Sequence, residues 1–150
     1  MHLKVAIASD HGGYELKQEI LKQLAELGVD YQDFGSFTDE AVDYPDYAFQ
    51  VGQKVVNKEF DRGILICGTG VGISIAANKV KGVRCALVHD VFTAIATRQH
   101  NDSNVLAMGG RVIGVELAKM IVATWLAEEF MGAHHVGRIA KIATFENENI

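Results

Sequence analysis

The chain has 150 residues, a length typical of one domain with room for a substantial core. Hydrophobic residues make up 49% and charged residues 22%, which fits an ordinary globular protein. The formal net charge of −5 argues against a surface that binds nucleic acid or an acidic membrane, so any anionic ligand needs a locally basic site.

The two cysteines, Cys67 and Cys85, do not form a Cys-x-x-Cys pair, so they indicate neither a disulfide framework nor a zinc site. The first residues run directly into an apolar strand pattern without a signal-peptide core. No apolar run approaches the roughly 18 residues that a membrane span requires. We therefore expect a reduced, cytoplasmic protein with no membrane partner and no nucleic-acid partner.

Short apolar runs and amphipathic segments alternate along the whole chain, and they predict strands and helices respectively. Gly28 ends the first helix, Pro45 suits the first turn of the second, and Asp90 can cap the fourth. The predicted strands are 3–9, 29–34, 63–67, 83–88 and 105–108, and the predicted helices are 16–27, 45–57, 73–78, 90–100, 114–130 and 136 onward.

Five strands with intervening helices predict an α/β fold. Parallel strands joined by right-handed crossovers place helices on both faces of one sheet. No repeat, linker or low-complexity segment interrupts the pattern. Residues 1–150 are therefore expected to form a single three-layer, Rossmann-like domain with a five-stranded parallel sheet.

A glycine-rich loop follows the third strand, but its pattern does not match a nucleotide site. Gly68 and Gly70 match the first two glycines of the dinucleotide fingerprint, whereas the third position is Ile73. The fingerprint normally follows the first strand, where this chain carries Asp10, whose carboxylate would repel a pyrophosphate. No Walker A loop follows any strand. The loop therefore suits a ligand smaller than a nucleotide.

Cys67 is the candidate reactive residue beside that loop. It ends the third strand at the carboxyl edge of the sheet, where α/β proteins bind their ligands. The backbone amides and helix start that follow favour negative charge, and so favour a thiolate and an oxyanion. A lone cysteine is also often a small buried hydrophobic residue, so the loop alone leaves both interpretations open.

Three further polar residues are expected near the same edge. Asp10 and His11 follow the first strand, and Arg111 follows the fifth. A helix cap is an equally good interpretation of Asp10 taken alone.

Another group of polar residues lies later in the chain. His100 closes the fourth helix, where a histidine commonly interacts with the helix dipole. His134, His135 and Arg138 form a small basic cluster, which a solvated surface would explain as well.

Several separated blocks give the chain a specific resemblance to the type B ribose-5-phosphate isomerases, a family that also holds allose-6-phosphate isomerases and galactose-6-phosphate isomerase subunits. The blocks cover residues 9–12, 43–45, 67–72, 74–78, 98–101 and 104–106, in order along essentially all 150 residues. The resemblance implies an isomerase that interconverts ribose 5-phosphate and ribulose 5-phosphate through an enediolate. It also implies that no metal or other cofactor is needed and that the enzyme serves the non-oxidative pentose phosphate pathway.

The resemblance implies four catalytic residues. His100 and Asp10 match the acid and base that open the sugar ring, and Cys67 matches the base that moves a proton between C2 and C1. Thr69 would relay protons between the two substrate oxygens. Another branch of the family places a glutamate at or near Ile75, and no acid stands there in this chain.

The resemblance also implies a substrate-binding set. Backbone amides of residues 68–74 would hold the enediolate oxyanion, while His11, Arg111 and Arg138 would hold the phosphate. The full set is His11, Tyr44, Gly68, Gly70, Val71, Gly72, Ser74, Asn101, Arg111, His134 and Arg138, with Tyr44 and Asn101 lining the sugar.

The chain departs from the family pattern at one position in this set. Family members commonly carry Gly-Gly-Arg-His where residues 132–135 read Gly-Ala-His-His, so His134 replaces an arginine that helps to hold phosphate. Arg138 keeps a fixed positive charge there. His89 and Cys85 are interpreted as structural residues.

The resemblance leaves two alternative functions open and also implies an oligomeric state. The enzyme could instead act on allose or galactose 6-phosphate, or the domain could be a non-catalytic sugar-phosphate sensor, which would need no thiol. Family members are at least dimers, so we expect a homodimer or tetramer with a shared active site. Residues 98–101 and Arg111 would reach across to the second copy, and the helix around Trp125 and the C-terminal segment offer contact surface.

Overall fold

The computed structural model describes residues 2–149 of the chain. The strands are β1 (Lys4–Ser9), β2 (Asp30–Asp33), β3 (Arg62–Cys67), β4 (Cys85–Leu87) and β5 (Val105–Gly109). The helices are α1 (Tyr14–Glu26), α2 (Tyr44–Val56), α3 (Val71–Ala77), α4 (Val91–Asn101), α5 (Val115–Ala127) and α6 (His135–Asn149), and a single 3-10 turn (His11–Gly13) links β1 to α1.

The five strands form one parallel sheet in the order β2-β1-β3-β5-β4. The chain first moves from β1 to β2 on one side and then returns to place β3 on the other side of β1. This change of direction opens a crevice between the carboxyl ends of β1 and β3, where open α/β sheets bind their ligands. The α/β class and the five-stranded parallel sheet are confirmed.

Helices cover both faces of the sheet. As a result, every residue of β3 and β5 and nearly every residue of β1 is buried. Alternate residues of these strands enter two separate cores, as the two-residue repeat of a strand requires. Ile64 and Ile66 pack in the core with α1 and α5. Leu65 and Cys67 pack in the core with α2 and α3.

Two buried arginines decide where α5 ends. The Arg62 guanidinium donates to the carbonyl oxygens of Trp125 (2.7 Å) and Leu126 (3.1 Å), and Arg98 Nε donates to that of Glu128 (3.2 Å). Burial and the neighbouring Arg98 lower the pKa of Arg62 to about 10. Because these side chains bind the last carbonyl groups, α5 stops at Ala127, short of the predicted end near residue 130.

Two other sequence expectations need correction. β4 is shorter than predicted, because the Val83 N–H closes a turn onto the Val80 carbonyl instead of pairing in the sheet. Trp125 itself cannot take part in the contact surface expected of its helix, because its side chain is fully buried and its indole N–H donates to Ser103 Oγ at 2.9 Å, whereas Met120 of the same helix is exposed. Within residues 2–149, every helix is too short or too polar to cross a membrane.

Candidate active site

Three strands bring the candidate residues of the carboxyl edge together. In the sheet register, Ser9 of β1 lies beside Ile66, and Cys67 lies beside Gly109 of β5. The turn after β1 packs directly on the loop after β3, since a Cβ placed on Gly12 would lie 2.8 Å from the Gly68 nitrogen. Asp10 and Cys67 are therefore neighbours at the mouth of the crevice.

The Cys67 thiol is buried at the mouth of this crevice. Its side chain is 5% exposed, and its Sγ accepts a hydrogen bond from the Gly70 N–H at 3.1 Å. Gly70 has φ +79°, and a Cβ there would lie 2.5 Å from Leu87 Cδ1, so only glycine fits this turn. The turn thus aims an N–H group at the sulfur, and such a donor stabilises a thiolate more than a thiol.

The loop between Cys67 and α3 is ordered by its own hydrogen bonds and leaves the Gly72 N–H as a further donor. Val71 N–H donates to Thr69 Oγ1 at 3.2 Å, and Ser74 Oγ donates to the Val71 carbonyl at 2.8 Å. Gly72 is in the first helical turn, so its N–H has no acceptor within the helix. The Tyr44 ring packs against Gly72, as a Cβ there would lie 2.7 Å from Tyr44 Cζ. The loop can therefore hold an oxyanion through the Gly72 N–H, beside the Tyr44 ring.

Asp10 combines a capping role with a free oxygen. Its Oδ1 accepts hydrogen bonds from the N–H groups of Gly12 (2.8 Å) and Gly13 (3.2 Å), which caps the 3-10 turn. Within residues 2–149, its Oδ2 has no hydrogen-bond partner. The side chain is only 6% exposed, so this second oxygen is held in place and remains able to take a proton.

His11 and Arg111 flank a cavity of about 290 Å³ next to this crevice. The Val42 N–H donates to His11 Nδ1 at 3.3 Å, which leaves Nε2 of the neutral ring to carry the proton. The Arg111 guanidinium lies against Gly68 of its own chain, about 3.4 Å from a Cβ placed there. Glu15 and Asp39, which the sequence did not single out, also line this cavity.

The remaining candidates lie at the opposite edge of the sheet. α4 starts after the carboxyl end of β4 and returns to the amino end of β5, so its last residues, His100 and Asn101, lie at the amino edge. Arg84, directly before β4, donates to the Asn101 carbonyl at 3.1 Å, which places both at that edge. A strand of five or six residues separates the two edges by roughly 17–20 Å.

The amino-edge group includes the basic cluster at the start of α6. The His135 ring stacks on His100 with ring centroids 4.5 Å apart, and the His134 ring lies 4.0 Å from His135. His134, directly before α6, and Arg138, in its first turn, are both exposed. His100, Asn101, His134 and Arg138 therefore do not meet Cys67 within one chain; the resemblance implied that residues 98–101 reach a shared site from a second copy.

The two residues interpreted as structural, His89 and Cys85, are each held in a partly buried environment. His89 Nε2 accepts a hydrogen bond from the Gly109 N–H at 2.8 Å, and burial lowers the pKa of this histidine. Burial raises the pKa of the Cys85 thiol to about 12, so this thiol stays protonated. Within residues 2–149, no cluster of three or more His, Cys, Asp and Glu side chains is arranged to hold a metal ion.

Comparison with known proteins identifies relatives along nearly the whole chain. A protein-family model described as Ribose/Galactose Isomerase matches residues 5–142. A putative sugar phosphate isomerase of Bacillus subtilis is 58% identical over 99% of this chain and 100% of its own. Ribose-5-phosphate isomerase B of Escherichia coli is 51% identical over 95% of this chain and 96% of its own.

Solved structures agree with these relatives. Ribose-5-phosphate isomerase B of Clostridium thermocellum superposes with a TM-score of 0.97 at 50% identity, over 99% of this chain and 100% of its own. A crystal structure of ribose-5-phosphate isomerase B from Mycoplasma genitalium with bound ribulose-5-phosphate gives a TM-score of 0.94 at 44% identity, over 99% of each chain.

Proposed function

This chain belongs to the ribose/galactose isomerase family, and we propose that it interconverts ribose 5-phosphate and ribulose 5-phosphate. The observation that carries the proposal is the Cys67 thiol at the mouth of the crevice between β1 and β3. Its Sγ accepts a hydrogen bond from the Gly70 N–H at 3.1 Å. We place the reaction in the cytoplasm, in the non-oxidative pentose phosphate pathway, with no cofactor.

Ring opening needs an acid and a base, because ribose 5-phosphate arrives mostly as a closed ring. Asp10 Oδ2 takes the proton from the anomeric hydroxyl. His100 of a second copy gives a proton to the ring oxygen, and the bond between that oxygen and C1 breaks to leave the aldehyde.

Isomerisation then moves one proton from C2 to C1. The Cys67 thiolate removes the C2 proton, and the electron pair forms the C1–C2 double bond of an enediolate. The loop amides stabilise the negative charge on its oxygen, and Thr69 passes a proton between the two substrate oxygens. The Cys67 thiol finally returns its proton to C1, which gives the ketose and restores the thiolate.

The phosphate binds at the basic residues of both edges. His11 and Arg111 of one copy flank the 290 Å³ cavity beside the crevice, and His134 and Arg138 of the second copy complete the anion site. An arginine can bind phosphate through two parallel hydrogen bonds, whereas an imidazolium cannot. Tyr44 and Asn101 line the sugar.

A second copy of the chain is required because each copy carries half of the machinery at opposite edges of its sheet. A homodimer with two-fold symmetry places the amino edge of one copy against the carboxyl edge of the other, and forms two identical sites. A groove of about 740 Å³ beside edge strand β4, which includes exposed Phe92 and Ile142, offers apolar surface for this contact.

The proposal is tested first at the two cysteines. Cys67→Ala removes the base and is expected to lower turnover of ribose 5-phosphate by at least 10²–10⁴-fold, a range typical of general-base catalysis, with the fold intact. Cys85→Ala is the matched control and is expected to lower stability modestly and spare turnover. A Cys67→Ala variant with most of its activity would contradict the mechanism. Assays with allose and galactose 6-phosphate alongside separate the alternative substrates, and turnover of any of them excludes a pure sensor.

The shared site is tested by mixing two inactive variants, Cys67→Ala and His100→Ala. In a mixed dimer, one site combines the intact Cys67 of one copy with the intact His100 of the other. Co-expression should therefore restore about a quarter of the wild-type activity if the copies pair at random in a two-fold dimer. A site formed within one chain would give no recovery, and a fully active monomer in sedimentation would refute the dimer.

A further inference from the structure

His135 differs from the rest of α6. It is the one buried residue of that helix within residues 2–149, at 7% exposure, while most of its neighbours face solvent. Burial, followed by the nearby His134, His100 and Arg138, lowers the pKa of this histidine. Its ring therefore favours the neutral form, and it lies in contact with two exposed histidines, His100 and His134.

The contact with His100 is a close stack. The two ring centroids are 4.5 Å apart and the ring planes differ by 16°. Within residues 2–149, neither ring forms a side-chain hydrogen bond, so the stack itself limits the plane of the exposed His100 ring. A protonated ring above a neutral aromatic ring also gains a cation–π contact.

The segment that leads into α6, residues 128–131, is attached to the end of α4 by three hydrogen bonds. Met131 N–H donates to the Gln99 carbonyl (3.1 Å), Gln99 Nε2 donates to Glu128 Oε2 (2.9 Å), and Arg98 Nε donates to the Glu128 carbonyl (3.2 Å). The segment before α6 therefore moves together with the end of α4. His135 therefore keeps its place relative to His100.

We infer that His135 is a positioning residue, whose buried, stacked ring holds the His100 imidazole in the orientation that delivers a proton to the sugar ring oxygen. The inference rests on the proposed function, in which His100 is the ring-opening acid. A proton donor loses efficiency steeply when its position is uncertain by an ångström, so loss of the stack affects turnover more than binding.

Three variants test the inference by steady-state kinetics with ribose 5-phosphate. His135→Leu removes the flat ring and is expected to lower kcat by at least about tenfold, with KM within about twofold of the wild type. His135→Phe keeps a flat ring that cannot titrate and is expected to retain kcat within about threefold. Val136→Ala, an exposed neighbour in the same turn, is the control and is expected to match the wild type. His135→Asn replaces the leucine variant if that protein does not fold.

Several outcomes would overturn the inference. One is a leucine variant with wild-type kcat, and another is a phenylalanine variant as slow as the leucine variant, since the ring would then act by its nitrogen atoms. A leucine variant that raises only KM would assign the residue to phosphate binding through His134.

A measurement on the free protein separates this inference from the proposed function. The His100 ring protons should show an upfield ring-current shift in NMR spectra of the wild type and of His135→Phe, and should lose it in His135→Leu. Absence of that shift in the wild type would refute the stack. A wild type without ribose 5-phosphate turnover would refute the proposed function and the role of His135, even if the stack is present.

Discussion

Gly12→Ala tests how tightly the turn after β1 must pack on the loop that we propose to be catalytic. A Cβ at Gly12 would lie 2.8 Å from the nitrogen and 2.9 Å from the Cα of Gly68. Ordinary contact begins at 3.4 Å, so the two segments must move apart by about 0.6 Å. Both neighbours are backbone atoms, which cannot rotate away as a side chain can.

The displacement acts directly on the two groups that we propose to react, because Gly68 follows Cys67 and the Gly12 N–H donates to Asp10 Oδ1. A misplacement of about 1 Å can cost about 10²-fold in rate, so we expect kcat to fall by about tenfold or more. Overpacking also costs about 1–3 kcal/mol, which lowers Tm by several degrees in a domain of this size.

Gly52→Ala is the matched control for this substitution. Its Cβ would lie 3.1 Å from Val80 Cγ2, in the core between α2 and the segment after α3, away from the crevice. We expect it to lower Tm without lowering kcat. Thermal melting and initial rates on ribose 5-phosphate measure both effects. The reasoning is refuted if Gly12→Ala keeps wild-type kcat, or if Gly52→Ala loses kcat equally.

Two further predictions address the phosphate site and the loop after β2. His134→Arg should lower KM for ribose 5-phosphate, since a guanidinium binds phosphate through two parallel hydrogen bonds and an imidazole cannot; an unchanged KM would exclude His134 as a phosphate ligand. Lys17→Met removes a buried ammonium that donates to Asp33 Oδ1 (2.7 Å) and to the Ser36 carbonyl (2.6 Å). We expect a loss of about 3 kcal/mol in the free energy of unfolding, measured by urea denaturation, because the Ser36 carbonyl loses its donor and Asp33 keeps only the Gly35 N–H (2.9 Å) without the paired ammonium. Lys22→Met, in an exposed pair with Glu19, is the control and should change it by less than about 1 kcal/mol.

Much of the fold was predictable because it depends on local periodicity. Buried strands of a parallel sheet are continuous apolar runs, and the run that ends at Cys67 is one of them. Asp90 accepts from the Thr93 N–H at 2.7 Å, which confirms the predicted cap of α4. Pro45 lies in the first turn of α2, as its fixed φ favours.

The carboxyl-edge half of the site was also predictable from the chain alone. Asp10 directly follows β1 and Cys67 is the last residue of β3, and parallel strands bring such positions to one edge. The double use of Asp10, with one oxygen as a cap and one free, was visible in the sequence only as two competing interpretations. Its two hydrogen bonds to the following glycines show that the interpretations are compatible.

Other features were decided by contacts between residues far apart in sequence, which periodicity does not encode. Arg62 ends α5 by binding carbonyl groups more than sixty positions away. His135 becomes buried and stacked on His100 only because α6 returns to the end of α4. The sequence by itself determined the type and order of the elements and the residues at the end of each strand. Only the tertiary structure decided that His100 lies at the opposite edge from Cys67, because a helix that joins two parallel strands must return to the amino edge before the next strand begins.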